Sequence, residues 1–373
     1  MLDFLKRKLP LSMVRWIGAY QDLRRARIER EHLEAFRAFY EGLEQKKDIF
    51  YLYFSAGLAH WVYKALRFVP RSVNAVVIGG SLSEEEEAWS AEHLGRPFHH
   101  IQLPVGDRPV LEFLFKTNRY NFGWLHVDCL VLNPAVFEEM TQIRDDVAVN
   151  CAWSHLSPEG NQVLNTYLLF FNQEAIRATA ALGITPNCYC YRAGNYAYEN
   201  HHRFSYCQVP TKKQLALLGK VLPKDAGGRP QTPPWAKGFP CAFFDTLLLF
   251  QFTARALGFR LHAIRDFHLG DRLFSDELIH MGNPLLRGDP RAHWERHMAN
   301  YLILHELLAD FPRWNAYLQY RDQARALMQG IDPDISLSQC RRGVFSFLAG
   351  QGLSEQALNT AFPRTNAPTP THY

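Results

Sequence analysis

The sequence predicts an α/β protein built on a doubly wound, mostly parallel sheet with helices on both faces, plus helical extensions at its two ends. Three observations predict it. Between residues 48 and 134, four apolar runs of strand length alternate with helical stretches of about a dozen residues. Pro70, Gly79-Gly80 and Pro134 punctuate those units. Beyond residue 286 the apolar residues keep a helical period to near the end of the chain.

The elements follow in order. Residues 1–47 form a basic, helical N-terminal extension, with Trp16, Tyr20, Leu23, Ile28, Leu33, Phe36, Phe39, Tyr40 and Leu43 at roughly helical spacing. Such a helix packs on its own domain or lies on an anionic membrane surface. Ile49–Phe54 is a buried-strand run, followed by a helix over 57–68. Val73–Ile78 is a second strand, after which Ser83 caps a helix whose first turn holds Glu84 to Glu87. A third strand covers 99–103, a helix 107–119, and a fourth strand 122–127. Strands at 147–153 and 165–171 lead into a helix over 173–182, and another helix covers 212–222. Residues 183–210 lack periodicity, and the Pro- and Gly-rich stretch 223–240 reads as a lid or substrate loop. A helix over 242–257, capped by Gly258, precedes a strand at 259–264. Helices near 290–310, 312–328, 336–349 and 353–361 complete the chain. The division is thus an extension (1–47), a catalytic domain (48–285), a C-terminal helical region (286–362) and a disordered tail (363–373).

Composition excludes several classes of function. A chain of 373 residues with 47% hydrophobic and 21% charged residues is neither disordered nor, lacking an apolar run of about 18 residues, membrane-spanning. A net charge of +4 is too small to point to nucleic acid as a partner, and no nucleic-acid motif appears. Seven cysteines without a CxxC pair read as reduced thiols of a cytoplasmic protein, with Cys188-Tyr-Cys190 a weak exception. The N-terminus lacks a secretory signal, so the location expected is cytoplasmic, with peripheral membrane contact through the first helix as the variant. No GxGxxG, P-loop or Gly-x-Ser-x-Gly motif follows any strand.

The chemistry concentrates in Phe122-Gly-Trp-Leu-His126-Val-Asp128-Cys-Leu-Val-Leu-Asn-Pro134. Ligands of open parallel sheets bind outside the carboxyl ends of the strands, where this acid falls. Side chains alternate along a strand, so His126 and Asp128 lie on one side of the chain and make a candidate metal pair. The plainer alternative is a core histidine followed by an aspartate that caps a turn or the next helix.

This stretch resembles the Asp-x-Asp strand of GT-A nucleotide-sugar glycosyltransferases, with His126 in place of the first acid. Asn165-Thr-Tyr-Leu-Leu-Phe-Phe-Asn172, Phe244-Asp245 with the helix after it, and His268-Leu-Gly270 and His280-Met-Gly282 resemble later motifs of that family. The resemblance covers roughly residues 48–285 and implies a GT-A-like fold. It implies metal-assisted transfer of a sugar from a nucleotide-sugar donor to a hydroxyl acceptor, with inversion. Asp128, His126, His280 and His268 would hold Mn²⁺ or Mg²⁺. Phe54, Ser55, Ala56 and Gly57 would meet the nucleoside, and Lys116 and Arg119 the phosphates. Asp245 would be the general base, with N-capping as its plainer role, and Trp235 would stack on the acceptor. Two other readings fit parts of the pattern. One is a non-haem iron, 2-oxoglutarate-dependent oxygenase using His126, Asp128, His280 and Arg291. The other is an inactive glycosyltransferase-like binding protein.

Overall fold

The computed structural model describes residues 27, 29–102, 107–156, 162–191, 210–221, 242–265, 274–282 and 289–363. Strands β1 (Ile49–Ser55), β2 (Ala75–Gly80), β3 (Phe98–Ile101), β4 (Phe122–His126), β5 (Cys129–Val131), β6 (Val147–Cys151), β7 (Ser154–Leu156), β8 (Gln162–Leu164), β9 (Leu168–Phe171), β10 (Tyr189–Tyr191), β11 (Ala242–Phe244), β12 (Arg260–Ala263) and β13 (Leu278–His280) occur in that order. Seven of them form one sheet in the order β12-β6-β9-β4-β1-β2-β3. All its neighbouring pairs are parallel except those made by β9, which runs against β4 and β6. This is the mostly parallel, GT-A-like α/β sheet that the sequence predicts.

Strand β1 is central because it is apolar almost throughout and can be buried on both faces. Phe50, Leu52 and Phe54 enter one core layer, with helix Ala59–Leu66 and the C-terminal helices. Ile49, Tyr51 and Tyr53 enter the other, with the helix over residues 29–42, helix Asp107–Thr117 and helix Leu248–Ala256. The helices after β1 and β2 lie on one face, and the helix between β3 and β4 on the other. That change of face is what right-handed crossovers require when the strand order reverses. The reversal occurs between β1 and β4, so the crevice outside their carboxyl ends is the topological switch point.

The four C-terminal helices, Trp294–Asp310, Asn315–Gln329, Leu337–Gly350 and Glu355–Ala361, extend the core of the first face. Helix Trp294–Asp310 lies beside helix Ala59–Leu66 in the same direction. Asn300 Oδ1 accepts from the His60 ring (2.6 Å) and Trp61 Nε1 (2.9 Å), Glu306 accepts from Lys64, and Asp310 from Arg67.

The fold departs from several sequence expectations. Residues 242–244 are not the start of a helix: as β11 they pair antiparallel with β10, and the helix begins only at Leu248. Leu247 is its N-cap, at φ +66° with no side-chain cap, so Asp245 does not cap the helix. Two short antiparallel pairs, β5 with β13 and β7 with β8, escape the sequence because three residues are too few to show a period. Ser83 caps helix Glu84–His93 as predicted, in a reciprocal capping box with Glu86. In the N-terminal extension, Phe36 and Tyr40 are fully buried against the second core layer. No helix among the described residues is long and apolar enough to cross a membrane. Most of the basic preface, the 223–240 loop with Trp235, His268, and residues 364–373 of the expected tail lie outside the described residues.

Candidate active site

Strand β4 delivers His126 to the carboxyl edge, and the chain turns through Val127 and Asp128 into β5. Strand β13 returns from the distant end of the sheet to pair with β5, setting His280 opposite Cys129. The Met281 N–H donates to the Asp128 carbonyl (3.0 Å), which fixes the register. Two segments about 150 residues apart in sequence are thereby locked side by side, by the backbone hydrogen bonds of a short antiparallel ladder.

The result is a His–Asp–His cluster. His280 Nε2 lies 3.4 Å and His126 Nδ1 3.9 Å from Asp128 Oδ1. One ligand atom from each residue lies within 4.8 Å of the other two. Asp128 is 2% exposed, and its Oδ2, like His280 Nδ1, is buried without a hydrogen-bond partner. Burial alone would raise the Asp128 carboxyl, but the charge and hydrogen bond of His280, with the charge of His126, hold it below the ordinary carboxylate value. Tyr167 stacks on the His280 ring at 4.3 Å and 18°, and its carbonyl accepts from the His126 N–H at 2.8 Å. One residue thus steadies both histidines. Sequence reading missed Tyr167, although it lies inside the Asn165–Asn172 motif.

Behind this cluster the β5–β13 pair is buried and cross-linked by side-chain and backbone hydrogen bonds. Cys129 is fully buried, and burial with the Asp128 charge pushes its thiol up, so it is no nucleophile. Arg265 binds both Glu139 and Glu277, while the Glu277 carbonyl accepts from Leu132 and Asn133 N–H (2.8 and 3.1 Å). That network fastens the β5–β13 pair to helix Ala135–Thr141.

The other predicted residues divide. Ser55, Ala56 and Gly57 stand where expected, at the end of β1 beside His126, which is in register with Tyr53. Gly57 has φ +82°, and its N–H donates to Glu86 Oε1 (2.7 Å). Glu86 also accepts from Tyr317 Oη (3.1 Å), which itself accepts from the Ala59 N–H (2.6 Å). This buried carboxylate holds the turn after β1, and the Ser83-x-x-Glu86 spacing was its only sequence signal. Phe54 is 1% exposed and its ring packs into the first core layer, so only its backbone reaches the edge.

Lys116 and Arg119 are misplaced. Lys116 lies in the last turn of helix Asp107–Thr117 and Arg119 just after it, at the amino end of β4, and β4 separates them from His126 by its full length. Lys116 pairs with Glu112 and Arg119 with Glu41. They stand at the opposite edge of the sheet because a helix antiparallel to the strands ends where the next strand begins.

Asp245 sits at the correct edge, since the helix after it leads back to the amino end of β12. It is exposed, and its Oδ1 accepts from the Thr246 N–H (2.7 Å) and the Cys188 thiol (3.3 Å). It shares no hydrogen bond with the His–Asp–His cluster. The helix it precedes packs on the sheet face that Trp124 occupies, and by strand alternation His126 points to that face too.

An iron oxygenase of the 2-oxoglutarate type does not fit this molecule. That fold needs strands on both sides of the distal histidine, whereas a parallel α/β sheet precedes His280 and helices follow it.

Comparison with known proteins points to sugar transfer. Residues 26–176, which include His126 and Asp128, match the family model of the StrH glycosyltransferase N-terminal domain. A dTDP-dihydrostreptose–streptidine-6-phosphate dihydrostreptosyltransferase of Streptomyces griseus is 28% identical over 283 residues, covering 67% of this chain and 71% of that protein. Solved structures resemble it only loosely. A cytidylyltransferase from Leptospira borgpetersenii gives a TM-score of 0.26 at 12% identity, over 45% of this chain and 77% of that one. The glycosyltransferase GlyE of Streptococcus pneumoniae gives 0.27 at 12% identity, over 68% and 60%. The fold assignment rests on the strand order rather than on these. With the family match, the curated relative and the sheet in agreement, the chain is a glycosyltransferase of GT-A-like α/β fold.

Proposed function

We propose that this glycosyltransferase moves a sugar from a nucleoside-diphosphate donor to a hydroxyl acceptor, with inversion, at the carboxyl edge between β1 and β4. The dTDP-sugar and the sugar-phosphate acceptor named for the Streptomyces relative make dTDP the first donor to test. The single observation that carries the reading is the convergence of Asp128, His280 and His126 at the switch point, with a buried Asp128 oxygen left without a partner.

Such a donor set suits a divalent cation. Two imidazole nitrogens and one carboxylate favour Mn²⁺ and its transition-metal neighbours over Mg²⁺, which prefers oxygen ligands. When bound, the cation would neutralise the diphosphate as it leaves. The protein's own residues do the rest. Asp128 and the two histidines hold their places through β5–β13 and Tyr167, and the turn 55–58 braces the nucleoside. Asp245 accepts the proton of the acceptor hydroxyl as its oxygen bonds to the anomeric carbon and the bond to the diphosphate breaks.

Screening dTDP-, UDP- and GDP-sugars with Mn²⁺ by thermal shift, followed by a transfer assay with the donor selected, tests the proposal. Asp245→Asn is expected to bind the donor as wild type does and to lose transfer by at least a hundredfold. Retained turnover would remove Asp245 as the base, and no stabilisation by any donor would remove the reading.

A further inference from the structure

With Lys116 and Arg119 at the far edge of the sheet, the diphosphate of the donor lacks a cationic side chain among the residues the sequence nominated. We infer that Arg296, in the first turn of helix Trp294–Asp310, binds the donor diphosphate. The inference rests on the donor site proposed above.

Three observations converge on this residue. Its guanidinium lies beside Gly282, on the segment that carries His280: a methyl group built on Gly282 would meet Arg296 Cζ at 3.7 Å. Gly282 follows Met281, whose N–H bonds the Asp128 carbonyl, and stands two residues after His280. Consecutive Cα atoms are about 3.8 Å apart, so the guanidinium stands within roughly 13 Å of the Asp128 backbone. Gly282 itself has φ +67°.

The second observation is helix register. Helix Trp294–Asp310 runs in the same direction as helix Ala59–Leu66, with Asn300 beside His60 and Glu306 beside Lys64. Arg296 lies one turn before Asn300, about 6 Å along the axis. That step brings it level with residues 56 and 57, the turn proposed to brace the nucleoside. Arg296 is therefore level with the nucleoside turn and adjacent to the segment that carries His280, the two parts of the edge that a diphosphate must bridge.

The third is its lack of a partner. Arg296 is half-buried, yet among the described residues no carboxylate or carbonyl accepts from it. Half-buried arginines ordinarily find an acceptor, as Arg67 does with Glu306 and Asp310 and Arg265 with Glu139 and Glu277. A planar fork of donors left open at the carboxyl edge suits the non-bridging oxygens of a diphosphate.

Calorimetric titration with dTDP, UDP and GDP, each with Mn²⁺ and with EDTA, tests this on wild type, Arg296→Gln, Arg296→Lys and Asp128→Ala. Arg296→Gln is expected to melt as wild type does, because it breaks no bond. It should weaken the preferred nucleoside diphosphate at least tenfold both with Mn²⁺ and with EDTA, about 1.4 kcal/mol. Arg296→Lys should recover part of that loss, which a merely structural role would not produce. Asp128→Ala should lose only the Mn²⁺-dependent part. Wild-type affinity in Arg296→Gln, with the Asp128→Ala loss intact, overturns the assignment and leaves the donor site standing. If wild type binds none of the three nucleotides, both fall.

Discussion

Replacing Glu306 with leucine tests how the C-terminal helices are fastened to the catalytic sheet. Lys64 is only 2% exposed, and its Nζ donates to both Glu306 oxygens, at 2.9 and 2.7 Å. Burial pushes the Lys64 ammonium down, and the Glu306 charge and hydrogen bond offset that push. Removing the acid leaves a buried, unpaired ammonium, which costs about 3–5 kcal/mol when the pair is fully enclosed. Glu306 retains 23% exposure, so water reaches one side and the lower end, about 3 kcal/mol, applies. A chain of 373 residues unfolds with an entropy of roughly 0.8 kcal/mol/K, so the melting temperature should fall by about 4 °C. Arg67 keeps Asp310 in either case. The double variant Lys64→Met/Glu306→Leu removes both charges and should recover most of the loss. Calorimetry on the two singles and the double gives the coupling directly. A melting temperature for Glu306→Leu within about 1 °C of wild type, or additive losses in the double, would refute the reasoning.

Two further predictions concern the sheet and pH. A methyl group on Gly123 would meet the Phe50 ring at 2.2 Å, and Phe50 is itself wedged between Phe137 and Phe170. Gly123→Ala should therefore cost roughly 1–3 kcal/mol by overpacking, read in denaturant titration. An unchanged midpoint would mean that β1 and β4 yield more than their packing implies. His60, wholly buried under helix Trp294–Asp310, is lowered by burial to about 4, and its bond to Asn300 only partly resists. The unfolded chain binds that proton more readily, so the stability is fully present above pH 6.5 and lost as pH falls towards 4. The contribution is roughly 3 kcal/mol. His60→Leu should flatten the fall in melting temperature over that window; an unchanged slope would assign it to other groups.

The sheet was legible in the sequence where strands were long and apolar. Ile49–Phe54 and Phe122–Val127 announced themselves because a strand buried on both faces must be apolar throughout. The Ser83 cap was legible because its carboxylate partner lies three residues away. The site was legible only in part. His126 and Asp128 were visible as a local pair, and His280 joined them through motif resemblance. No spacing rule foretells that β13 pairs with β5, since that contact crosses about 150 residues and depends on three-residue strands. Lys116 and Arg119 were misread for a related reason: nearness in sequence to a strand says nothing about which end of it a residue occupies. Arg296 and Tyr317 were invisible, because helices from the end of the chain bring them to the edge.

The central claim is that Asp128, His126 and His280 form a cation site that holds a nucleotide-sugar donor. Titrating Mn²⁺ into wild type and Asp128→Ala, with and without dTDP and followed by the electron spin resonance of the free ion, tests it most directly. The account predicts that dTDP tightens Mn²⁺ binding to wild type and that Asp128→Ala binds neither ion nor metal-dependent nucleotide while melting as a folded protein. Equal Mn²⁺-dependent nucleotide binding by the two proteins would contradict it.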